Sequence, residues 1–129
     1  MSIWHAPIVR LLQESGLFSE VQRSGGKIRA LIHENLFLDI HFDPASHSYS
    51  YALIDLASTY PGDKLVFGWD DYPHPGILEL QTLESAPHHF QQRLEDGQWK
   101  FRASDFHGNI QEEIPRVLQV LKEFLAGKK

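Results

Sequence analysis

Between Phe18 and Asp70 the chain is a run of short strand-like segments joined by turns too brief to hold a helix. Such spacing restricts neighbouring strands to antiparallel pairing, because a parallel pair needs a crossover of a dozen or more residues. Phe18 to Arg23 reads as a first strand, Ser24-Gly25-Gly26 as a turn, and Lys27 to His33 as a second strand. Leu36 to Asp43 alternates most clearly. Leu36, Leu38, Ile40 and Phe42 fall on one face, and Phe37, Asp39, His41 and Asp43 on the other. Pro44 ends it. Ser48 to Leu56 and Lys64 to Asp70 follow as strands, with the turn signal Tyr60-Pro61-Gly62-Asp63 between them.

Helical spacing replaces alternation at both ends. Pro7 suits a first turn, and Ile3, Trp4, Ile8, Leu11 and Leu12 recur at three and four residues before Gly16. Near the end, Ile114, Val117, Leu118, Leu121, Phe124 and Leu125 form an apolar stripe, with Pro115 expected in the first turn and Gly127 as the stop. Between these regions, Asp70 to Gly76 reads as loop, Ile77 to Leu83 as irregular strand or turn, and Glu84 to Gln92 as a further irregular stretch. Asp96-Gly97 is a turn before a last strand, Gln98 to Ala103. The expected fold class is α+β. It is a single antiparallel sheet of about five to six strands, with an N-terminal and a C-terminal helix packed on one face. One domain accounts for residues 1–129, since 42% hydrophobic residues in a chain of 129 supply one core.

Composition narrows the chemistry. The absence of cysteine removes disulfides, thiolate catalysis and cysteine-ligated zinc. No apolar run approaches the roughly 20 residues that cross a bilayer, and the start of the chain lacks a secretion-signal pattern, so a cytoplasmic location without membrane attachment is expected. A net charge of −5 gives no broad attraction for nucleic acid, although Lys27, Arg29, Arg93, Lys100 and Arg102 offer local positive charge.

The eight histidines are scattered, and three stand in two proline-led blocks. These are Trp69-Asp70-Asp71-Tyr72-Pro73-His74-Pro75 and Ser85-Ala86-Pro87-His88-His89-Phe90. Proline stiffens the backbone that presents the imidazole, and a carboxylate such as Asp70 can orient a ring and stabilise its protonated form. Two imidazoles and a carboxylate serve either proton transfer or a divalent metal. The competing reading places His74, His88 and His89 in a surface loop with no shared site. The spacing fits no His-Glu-x-x-His motif, nucleophile elbow or phosphate loop.

Elsewhere structural roles are expected. His41 belongs to a polar strand face with Asp39 and Asp43, His33 and His47 to solvated strand ends, and His5 to the region that caps the first helix. Trp69, Trp99, Tyr49 and Tyr51 are expected in sheet packing, and Glu112-Glu113 opposite a helix dipole.

The two proline-led blocks, with Tyr49-Ser50-Tyr51 before them and Ile114 to Leu125 after, give the chain a pattern that resembles the TumE family of toxin–antitoxin proteins. It departs from that pattern at Asp71, where asparagine is usual, at Pro75, where a second histidine is common, and at Phe90-Gln91, where Lys-His often follows. The resemblance implies a small toxin neutralised by a cognate antitoxin, often a helix-turn-helix protein, with RNA as a target by analogy. His74 and His88 would then act as acid and base, Asp70 would orient one of them, and His89 would assist. Arg93, Lys100 or Arg102 would balance phosphate charge, with no cofactor. Two other readings remain open. One is a non-enzymatic module binding a protein through the sheet face or the Tyr72-Pro73 loop. The other is a metal-dependent hydrolase using Asp70, His74 and His88.

Overall fold

A computed structural model describes residues 4–74 and 76–127. Ile3 and Pro75, both used in the sequence reading, lie outside the described residues. The order of elements is α1 (His5–Glu14), β1 (Glu20–Ser24), β2 (Lys27–His33), β3 (Leu36–Phe42), β4 (Tyr49–Asp55), β5 (Leu65–Asp70), α2 (Leu78–Gln81), β6 (His89–Arg93), β7 (Trp99–Ala103) and α3 (Ile110–Gly127). The seven strands form one sheet in sequence order, and every neighbouring pair is antiparallel.

The α+β meander expected from the turns is present, with seven strands in place of five to six. The additional one is β6, which falls largely within the stretch from Glu84 to Gln92 read as irregular. Ile77 to Leu83, expected to be irregular strand or turn, holds the short helix α2. Pro115 lies inside α3, beyond its first turn, because the helix begins at Ile110 and not next to the apolar stripe.

The alternation in β3 explains the layering. Ile28, Ile40, Tyr51, Trp69 and Phe90 align across successive strands and face the main core. Ile8 and Leu12 of α1 and Ile114, Val117 and Leu121 of α3 complete that core, so both long helices cover the same sheet face. Each large side chain fully buried there contributes about 1.5–3 kcal/mol. On the other face, Asp39 takes a two-bond contact from Arg29 (2.8 and 3.1 Å) and an ion pair from Lys27 at 3.4 Å. The Arg29 guanidinium lies 4.1 Å from the centre of the Phe37 ring, which it shields. Helix α2 packs against β7, and its Leu80 is fully buried outside the main core. Among the described residues no helix is long and apolar enough to cross a membrane.

One row of the polar face positions the candidate site. Lys27, His41, Ser50, Asp70, His89 and Ala103 are successive partners across β2 to β7. The row brings Asp70, at the end of β5, beside His89, at the start of β6.

Candidate functional site

Asp70 is held by backbone at two levels. Its strand pairs it with both Ser50 and His89, and its Oδ1 accepts the backbone N–H of Tyr72 at 2.9 Å. Burial pushes its carboxyl up from the usual carboxylate range, against the opposing pull of His89, the Tyr72 N–H and His74. The next residue, Asp71, accepts the hydroxyl of Ser48 at 2.9 Å, which ties the loop after β5 to the start of β4.

His74 has a φ of 45°, a left-handed backbone that non-glycine residues rarely adopt. That turn brings its Nε2 to 3.9 Å from Asp70 Oδ1. The nitrogen is buried and makes no hydrogen bond. His89 is fully buried, with Nε2 3.4 Å from the same carboxylate oxygen and 3.0 Å from Gln91 Oε1. Its Nδ1 lies 2.9 Å from the carbonyl of Pro87, which follows a cis Ala86–Pro87 bond. A carbonyl only accepts, so Nδ1 carries the proton in this bond. The ring centres of His74 and His89 are 5.1 Å apart, and the donor atoms of Asp70, His74 and His89 all lie within 4.8 Å of one another.

His88 is not part of this group. Strand geometry sends adjacent residues to opposite faces, and His88 turns toward the helix-covered side. Its Nδ1 is 2.9 Å from the Tyr49 hydroxyl, which also donates to the carbonyl of Phe106 at 3.0 Å. The expected gathering of Asp70 with three histidines is therefore divided. Asp70, His74 and His89 converge, while His88 ties the segment before β6 to Tyr49 of β4, whose hydroxyl also reaches the loop before α3.

The basic residues proposed for phosphate lie elsewhere. Arg93 donates to the carbonyls of Gly97 (3.1 Å) and Asp63 (2.7 Å) and packs over the rings of Tyr60 and Trp99. Arg102 lies over Phe90, on the helix-covered side. Lys100 is exposed and pairs across β6–β7 with Gln92, in register with Phe67 of that same side.

An open cleft of about 910 Å³ lies at this end of the sheet, and Asp70 and His74 line it together with Trp4, His5, His41 and Asp71. The sequence reading missed His5. It is the first residue of α1, is 5% exposed, stacks on Trp4 with ring centres 4.0 Å apart, and leaves both ring nitrogens without a hydrogen bond. Helical spacing carried the signal, since His5, Ile8 and Leu12 share one stripe and are all buried. A side-chain cap, the role expected of this region, is not made at the N-cap Trp4.

Comparison with protein-family models, with curated proteins and with solved structures returned no match to this chain.

Proposed function

We propose that the protein is a small hydrolase that cleaves phosphodiester bonds, with RNA as the substrate class, and that Asp70, His74 and His89 form its reactive centre. The observation that carries this reading is the convergence of one carboxylate and two imidazoles beside an open cleft. The substrate class comes from the resemblance to TumE-like toxins, whose two proline-led blocks supply these three residues. In the reaction an oxygen–phosphorus bond forms as the ester bond breaks. The attacking oxygen gives up its proton to the Asp70–His74 pair at the cleft wall, and the leaving oxygen takes one from water in the cleft. His88 stands outside this centre, with its Nδ1 held by the Tyr49 hydroxyl and its ring absent from the cluster of Asp70, His74 and His89.

Incubation of purified, tag-free protein with RNA tests the reading. Asp70→Asn and His74→Ala each lower cleavage at least about a hundredfold. Expression of the wild-type chain arrests growth, and these variants relieve the arrest at equal protein level. RNA left intact by the folded wild-type protein overturns the reading.

A second reading has its own support in the exposure of two large apolar side chains near the centre, Tyr72 at 59% and Leu78 at 72%. They suit a protein partner, and in a toxin–antitoxin pair a cognate antitoxin covering this loop would shut the cleft. Co-purification of a neighbouring-gene product, lost in Tyr72→Ala and Leu78→Ser but kept in His74→Ala, supports it.

A further inference from the structure

We infer that Asp70, His74 and His89 bind one divalent transition-metal cation, with the side toward the cleft left open to water or substrate. This deepens the hydrolytic reading and rests on it for the cation's use, whereas the donor geometry stands without it. Asp70 Oδ1 lies 3.4 Å from His89 Nε2 and 3.9 Å from His74 Nε2. Ligand atoms around a tetrahedral ion at about 2.0–2.1 Å sit roughly 3.3 Å from one another. A closing movement of His74 on the order of 1 Å completes such a site.

The placement of the two rings points the same way. His89 Nδ1 donates to the Pro87 carbonyl, which leaves Nε2 as the ring nitrogen that faces Asp70 Oδ1 at 3.4 Å and Gln91 Oε1 at 3.0 Å. The buried Nε2 of His74 lies beside the same carboxylate oxygen and makes no hydrogen bond. The Pro87 carbonyl acts as an outer partner for a metal-binding imidazole, fixing its tautomer and orientation. Two of the three donors stand on paired strands, which leaves only His74 to adjust.

Charge in the cleft supplies a further argument, which rests on the phosphate substrate of the hydrolytic reading. Its described lining holds Asp43, Asp70 and Asp71 and neither lysine nor arginine. A phosphate entering there meets like charge unless a cation stands at the carboxylates. Two imidazoles select zinc, cobalt, nickel, iron or copper over magnesium and calcium, which take oxygen ligands. Three protein ligands with an open fourth position is the arrangement of catalytic rather than structural zinc.

The test uses the full chain, dialysed against chelator and titrated calorimetrically with zinc, cobalt and magnesium ions. One zinc or cobalt ion binds per chain, cobalt develops the visible absorption of a nitrogen–oxygen site, and magnesium does not saturate. Asp70→Asn and His74→Ala each weaken binding at least about tenfold with unchanged circular dichroism, and His33→Ala leaves it as it was. The inference is overturned if the folded wild-type protein shows no saturable zinc binding, or if both site variants bind as tightly as it does. RNA cleavage is assayed on the same samples. Metal bound without cleavage upholds the site and overturns the hydrolytic reading. Cleavage undiminished after chelation overturns the cation's part in the reaction and leaves the hydrolytic reading standing.

Discussion

His88 and His89 are consecutive in the chain and serve opposite faces of the sheet: His88 meets the Tyr49 hydroxyl at 2.9 Å, and His89 meets Asp70 at 3.4 Å. The pair separates structure from chemistry within one dipeptide. His88→Ala removes one part-buried hydrogen bond and lowers stability by about 1 kcal/mol, leaving cleavage of RNA in place. His89→Ala empties a fully buried position, strips a neighbour from Asp70, and removes activity along with more of the stability. Denaturant midpoints and turnover measured on both variants check this. Equal loss of activity in both would join the two histidines in one site.

The period of two that separates these residues was readable from the sequence only once the segment was recognised as a strand. In β3 the alternation is plain because apolar residues fill one face without a break. In β6 the residues on the second face are His89, Gln91 and Arg93, the first two buried polar side chains that bond to each other, and Pro87 stands just before them. Polar residues in a buried row hide the strand from any hydrophobic count. Asp70 and His74 were legible because a carboxylate at a strand end precedes a short proline-stiffened loop. The separation of Arg93, Lys100 and Arg102 from the cleft was not legible, since local sequence does not say which end or side of a sheet a later hairpin covers. His5 escaped notice because a histidine on an apolar stripe resembles a helix-start residue until the core is seen.

Glu113 is the buried carboxylate that the sequence assigned to a helix dipole. It is 3% exposed and accepts the Tyr51 hydroxyl at 2.7 Å together with the backbone N–H groups of His107 (2.8 Å), Gly108 (3.3 Å) and Asn109 (3.1 Å). Glu113→Ala leaves those donors without a partner and lowers stability by about 3 kcal/mol. Tyr51→Phe removes one bond and costs about 1 kcal/mol. Thermal or urea unfolding of the two variants gives the comparison, and a loss in Glu113→Ala no larger than in Tyr51→Phe would contradict the anchoring role.

Gly108 sits where no side chain fits. Its φ is +94°, and a Cβ built there would stand 2.2 Å from the carbonyl oxygen of His47. The contact binds the turn between β3 and β4 to the entry of α3, next to the Phe106 carbonyl that Tyr49 reaches. Gly108→Ala forces one backbone segment away from the other and destabilises by about 2 kcal/mol or more. A melting temperature equal to wild type would show that the two segments do not touch as described.

Alkaline pH acts through the two tyrosines of β4. Burial pushes the phenol of Tyr49 far above its ordinary value, with the charge of Glu113 adding to it. Burial and then the bond to Glu113 do the same for Tyr51. In the unfolded chain both ionise at about pH 10. Above that pH the folded protein holds protons that the unfolded chain has released, so stability falls as pH rises, while below it the contribution is complete. Ultraviolet titration reads this directly. Tyr49 and Tyr51 give no phenolate signal until the protein unfolds, and Tyr51→Phe leaves the native-state titration curve unchanged. A phenolate signal from either residue in the folded protein near pH 10 would mean that the Tyr51–Glu113 region opens to water.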